Sequence, residues 1–105
     1  MVKIFSYGTL WKKEVQRQVF DTTFIVFDNE DYVNGWGIID IKINGTYYKM
    51  AVEETDGTML MGAIVNVPDS YIDDIDQYEG EQYMRITVNT VGGRECQMYV
   101  KRVDY

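Results

Sequence analysis

Hydrophobic and polar positions alternate over Val2–Tyr7, which predicts a first strand with Val2, Ile4 and Ser6 on one face. From Trp11 to Phe20 the period lengthens. Trp11, Val15 and Val19 fall on one side, with Lys12, Lys13, Gln16 and Arg17 outside, which predicts an amphipathic helix. The turn between them is Tyr7-Gly8-Thr9-Leu10. Gly8 permits backbone conformations closed to other residues, and Thr9 is suited to cap the helix. A helix starting there presents free N–H groups to an anionic ligand group. The same pattern is also that of an ordinary structural turn.

Further along, Thr22–Phe27 is rich in strand-forming residues, and Asp28-Asn29-Glu30-Asp31 reads as a polar break. Tyr32–Ile43 reads as one long bent strand, with Gly35 and Gly37 marking a bulge or a close backbone approach. Asn44-Gly45 is a strong hairpin signal, and Tyr47–Glu53 forms the returning strand. Asp56-Gly57 turns the chain into a strand over Met59–Val67. Pro68-Asp69-Ser70 opens a second helix, with Asp69 or Ser70 as cap and Ser70 and Asp73 resembling a capping box. Ile86–Val91 and Cys96–Val103 flank Gly92-Gly93 as a last hairpin. The expected fold is a single α+β domain over residues 1–105: a small mixed β-barrel of about six strands with two short flanking helices.

Composition narrows the chemistry. A chain of 105 residues that is 46% hydrophobic can bury a core without disulfides or metals. The net charge of −7 and the lack of a basic face argue against a nucleic-acid partner. No signal-peptide core or membrane span is evident, and a lone Cys96 suits a reducing cytosol, so a cytoplasmic protein is expected, monomeric or weakly dimeric. Histidine is absent. Ser-His-Asp and Cys-His schemes are thereby excluded, and with them nearly all usual zinc sites. No metal or cofactor is expected. Cys96 lies in a strand pattern and reads as a core residue.

The second helix carries the most informative acid. Ile72, Ile75 and Glu79 recur at i, i+3 and i+7, so Glu79 continues the inward stripe, and Gly80 ends the helix. The negative end of the helix dipole and partial burial both push a carboxyl there up in pKa, toward the range useful for proton transfer. Three other readings fit the same residues. Glu79 can splay into solvent, it can pair with Arg85, or Glu81, Asp73, Asp74 or Asp76 can be the important acid. Asp73 and Asp74 read as a solvated face, and Asp76 as a residue that caps or braces the turn.

Taken together, Phe5-Ser6-Tyr7-Gly8-Thr9-Leu10 and Ile75-Asp76-Gln77-Tyr78-Glu79-Gly80, followed by Tyr83-Met84-Arg85, resemble the gamma-glutamylcyclotransferase superfamily, gamma-glutamylamine cyclotransferases included. Met61–Val67 resembles the family's strand before that helix, and Met98-Tyr99-Val100 its last strand. The resemblance implies a small-molecule gamma-glutamyl substrate and release of 5-oxoproline, with Glu79 as general acid/base. It places Tyr7, Gly8, Thr9 and Leu10, with Tyr83 and Arg85, at the substrate. The chain departs from the family at Tyr47-Tyr48-Lys49-Met50, where many relatives have a proline. Two alternatives stand beside the enzyme: a small-molecule binding protein of the same fold, and a protein-interaction domain.

Overall fold

The computed structural model describes residues 1–104. Seven strands and two helices follow the order β1 (Val2–Ser6), α1 (Lys13–Phe20), β2 (Ile25–Asn34), β3 (Trp36–Ile43), β4 (Thr46–Glu53), β5 (Met59–Val67), α2 (Ile72–Glu79), β6 (Tyr83–Asn89) and β7 (Glu95–Lys101). A 3-10 turn at Asp69–Tyr71 leads into α2. The expected α+β class holds, with one more strand than the sequence pattern indicated.

Five strands form a mixed sheet in the order β2-β5-β1-β7-β6, and β3 and β4 pair as a separate hairpin. Among the described residues, the one parallel pairing in this sheet is that of β1 with β7. The ladders do not close into the expected barrel. The sheet curls instead, and the β6–β7 turn reaches back to β2: Val91 N–H donates to the Tyr32 carbonyl (2.8 Å), and Gly92 N–H to Asp31 Oδ1 (3.0 Å). Asp31, 4% exposed, is also paired with Arg94 at 3.1 Å, and Arg94 reaches Asp28 at 2.7 Å. The acids expected to break the chain thus lie inside β2, where two register shifts accommodate them.

β1 runs through the middle of the sheet and is not one-sided as its alternation suggested: Ile4, Phe5 and Ser6 are all buried. Ile4 joins a cluster with Leu10, Met50 and Ile75, while Phe5 joins another with Ile64, Met98 and Val100. The Phe5 ring lies over Gly62 of β5, where a Cβ would approach it to 2.7 Å. That close approach explains a glycine inside a strand. The stretch expected as one bent strand is divided at Gly35 (φ +83°) between β2 and β3. The Asn44-Gly45 turn is as expected, with positive φ at both residues (50° and 84°).

The first helix differs from expectation on its inner face. In α1, Gln16 is the buried residue, while Val19 is 45% exposed, and Trp11, which precedes the helix, is 42% exposed. Burying an amide is favourable because both its ends are satisfied. Gln16 Nε2 donates to the Leu10 carbonyl and its Oε1 accepts from Phe24 N–H, each at 2.7 Å. Thr9 does not cap α1; the cap position is Lys12, and neither helix has a side-chain cap bond. The 3-10 turn takes the place of the Ser70–Asp73 capping box. In α2, Ile72 and Ile75 are buried as expected, and Asp73 and Asp74 are exposed. No helix among the described residues is long and apolar enough to cross a membrane.

Candidate active site

The loop after β1 and the C-terminal end of α2 open onto one cleft of about 390 Å³. Tyr7, Gly8, Thr9 and Leu10 line one side, and Tyr78, Glu79, Tyr83 and Tyr99 contribute from α2, β6 and β7. Tyr47, Tyr48 and Lys49 of the β3–β4 hairpin complete the wall.

The loop is held at three points. Thr9 Oγ1 and the Tyr78 hydroxyl share a hydrogen bond of 3.0 Å, tying loop to helix. Gln16 fixes the Leu10 carbonyl from α1. The Tyr7 hydroxyl donates to the Tyr99 carbonyl in β7 and accepts from Ala51 N–H in β4 at 3.2 Å. Tyr7 is therefore a brace, and burial pushes its phenol well above the usual range, so it does not ionise near neutrality. Among the described residues, the N–H groups of Gly8, Thr9 and Leu10 have no protein partner. Gly8 is not in the left-handed region, and a Cβ there would meet nothing within 4 Å. The glycine leaves room above the loop and does not relieve backbone strain.

Glu79 is half-buried at the end of α2, as the helical stripe predicts. Gly80 follows at the helix terminus with φ +98°, and its N–H returns to the Asp76 carbonyl. Burial, and then the negative charge of Asp76, push the Glu79 carboxyl up to about 7. No hydrogen bond from a described residue stabilises its ionised form. It therefore exchanges a proton readily near neutral pH.

The structure places the remaining candidates differently from one another. Tyr83 lines the cleft, and its hydroxyl donates to the Lys49 carbonyl at 2.8 Å; burial pushes the phenol up to about 12. Arg85 does not line the cleft. It forms a two-pronged ion pair with Asp76 at 3.0 and 3.2 Å, so it is neither at the expected substrate position nor paired with Glu79. Cys96 is buried, its thiol pushed up to about 11 by burial, which makes it a plain core residue.

Sequence reasoning did not find Tyr47, Tyr48, Lys49, Tyr78 or Tyr99 as cleft residues. Tyr78 precedes Glu79 directly. Tyr99 stands opposite Arg85 in the β6–β7 register, a relationship that only strand pairing reveals.

A carboxyl with a raised pKa thus lines the same cleft as a loop whose amides have no partner among the described residues, on a curled α+β scaffold. The chain belongs to the gamma-glutamyl cyclotransferase, AIG2-like family, which it matches over residues 4–104. Among solved structures, two Arabidopsis thaliana proteins have the same fold. One is 24% identical (TM-score 0.73, covering 95% of this chain and 61% of that one), the other 20% identical (TM-score 0.79, covering 99% and 70%). A structure described as a gamma-glutamyl cyclotransferase is 16% identical, with a TM-score of 0.71, covering 96% of this chain and 66% of that one. This chain thus spans only about two thirds of the length of these relatives. Among curated proteins, none matches it.

Proposed function

We propose that the chain is a cyclotransferase that releases 5-oxoproline and a free amine or amino acid from a gamma-glutamyl compound. The observation that carries this reading is the pairing, in one cleft, of a carboxyl held near pKa 7 with the unpaired N–H groups of Gly8, Thr9 and Leu10.

The substrate supplies its own nucleophile. Its α-amino nitrogen attacks the γ-carbonyl carbon, closing a five-membered lactam, and the bond from that carbon to the departing nitrogen breaks. Glu79 accepts the proton released by the attacking amine and returns one to the departing amine. No water or electron is consumed, and the protein ends in its starting state. A free α-amine titrates at about 7.7–8.0, close enough to the Glu79 value for transfer in either direction. Holding amine and carbonyl together supplies much of the acceleration. Donors in the Tyr7–Leu10 loop bind the substrate α-carboxylate or the developing oxyanion; one oxyanion donor is typically worth about 2.7–4 kcal/mol. Tyr83 shapes the wall, and no cofactor takes part in this scheme.

The test is incubation with a panel of gamma-glutamyl amines and gamma-glutamyl amino acids, with 5-oxoproline measured by chromatography. Release is expected from at least one compound and its loss in Glu79→Gln. A fully active Glu79→Gln protein overturns the assignment of the proton carrier, and no release from any compound overturns the activity.

A further inference from the structure

Beside Glu79 stands a cluster that the proposed reaction does not use. Asp76 lies three residues before Glu79 on α2, a spacing that brings two side chains to one side of a helix. Its carboxylate is fixed by three bonds: the Tyr99 hydroxyl donates to Oδ1 at 2.6 Å, Arg85 Nε to Oδ1 at 3.0 Å, and Arg85 Nη2 to Oδ2 at 3.2 Å. Arg85 is steadied in turn by Gln97 (3.3 Å), which donates to Thr87 at 2.7 Å. Arg85 and Tyr99 are direct partners across β6 and β7, so the sheet register sets the clamp.

Two features argue for more than a surface tie. Partly exposed ion pairs typically contribute only about 0–1 kcal/mol, so stability is a weak account of three converging bonds. The network also reaches the cleft directly, because Tyr99 lines it and accepts the Tyr7 hydroxyl at its carbonyl. The titratable groups that share the cleft with Glu79 are Tyr78 of its own helix, Tyr7 of the loop, Tyr83 of β6, Tyr99 of β7, and Tyr47, Tyr48 and Lys49 of β4. Lys49 is turned to an exposed pair with Asp40 at 3.5 Å. Among the described residues, the charge that adds to burial in raising Glu79 is that of Asp76.

We propose that Asp76 is a positioning residue for proton transfer: clamped by Arg85 and Tyr99, it maintains a negative charge one helical turn from Glu79, with Arg85 as the counter-ion that limits its effect. The clamp keeps Asp76 ionised. Burial raises its pKa, but the bonds from Arg85 and Tyr99 outweigh burial and leave it below the ordinary value. A nearby like charge disfavours ionisation of Glu79. Arg85 therefore acts on the reaction through Asp76 and Glu79 and does not touch substrate. This inference rests on Glu79 being the proton carrier.

The two residues have opposite charges, so removing each moves Glu79 in opposite directions. Asp76→Asn is expected to lower the Glu79 pKa and Arg85→Met to raise it, each by on the order of one unit. Arg85→Lys, which keeps the charge, stays near wild type. The measurement is the carbon-13 chemical shift of the Glu79 carboxyl against pH in isotopically labelled protein. The acid limb of kcat/KM for 5-oxoproline release is recorded in parallel. Opposite displacements support the proposal. An unmoved midpoint in Asp76→Asn, or displacement in the same direction in both variants, overturns it. The NMR titration needs no turnover, so opposite shifts with no 5-oxoproline from any substrate would overturn the cyclotransferase reading and leave the charge coupling standing. If Arg85→Met does not fold, Asp76→Asn against Arg85→Lys decides: a midpoint unmoved in the first overturns the proposal.

Discussion

The Tyr7 hydroxyl donates to the carbonyl of Tyr99, 92 positions away, and at the same time accepts from the N–H of Ala51. One phenol thus joins the parallel β7 strand to the separate β3–β4 hairpin at the edge of the cleft. Tyr7→Phe removes the bridge and leaves the Ala51 N–H unpaired in a partly buried place. The expected loss is about 1–3 kcal/mol of folding stability, read by chemical denaturation. An unchanged midpoint would mean that the hairpin is held by packing alone.

Gly8 makes a sharper separation between stability and function. Since its backbone is unstrained and a methyl group would meet no protein atom, Gly8→Ala should leave stability unchanged or raise it by up to about 1 kcal/mol. The methyl group would instead occupy space above the loop amides. A fall in kcat/KM for 5-oxoproline release of about tenfold or more is expected from the displaced substrate. Equal activity with the methyl group in place would show that substrate does not approach the loop there.

Glu79 should also leave a mark on stability. Its pKa is 4.5 when unfolded and about 7 when folded, so the folded state binds more protons between those values. That contribution is fully present below the unfolded value and is lost as pH rises through the folded one. It amounts to at most about 3 kcal/mol. The depressed acids Asp31, Asp56 and Asp76 contribute stability that is fully present above their ordinary value of 3.8 and is lost only as pH falls below it, so it stays constant across this window. Glu79→Gln should therefore melt higher than wild type at about pH 8, with the gap shrinking toward about pH 5. Parallel melting curves across that range would contradict the raised pKa.

Much of the scaffold was legible in the chain. Met59–Val67 is a strand over the expected residues, and Asn44-Gly45 is a hairpin turn, because period and turn chemistry are local properties. The inward stripe Ile72–Ile75–Glu79 held for the same reason, since helix geometry fixes which residues share a face. Where the reading failed, a distant partner had reversed a local preference. Gln16 turns inward because Leu10 and Phe24 satisfy both ends of its amide. Asp28 and Asp31 sit within a strand because Arg94 and the Gly92 N–H meet them from the other end of the sheet.

The candidate site divides along the same line. The sequence alone singled out the Tyr7–Leu10 loop, offered Glu79 as one of several candidate acids that the family resemblance then favoured, and, through the missing histidine, narrowed the kind of chemistry open to them. Only the tertiary structure decided that loop and acid share one cleft, that Tyr47, Tyr48, Lys49, Tyr78 and Tyr99 complete its wall, and that Arg85 stands outside it. The physical reason is the register of β6 on β7. It sets Arg85 directly opposite Tyr99, and the Tyr99 hydroxyl and the Arg85 guanidinium converge on Asp76, leaving Glu79 as the acid in the cleft with no such partner.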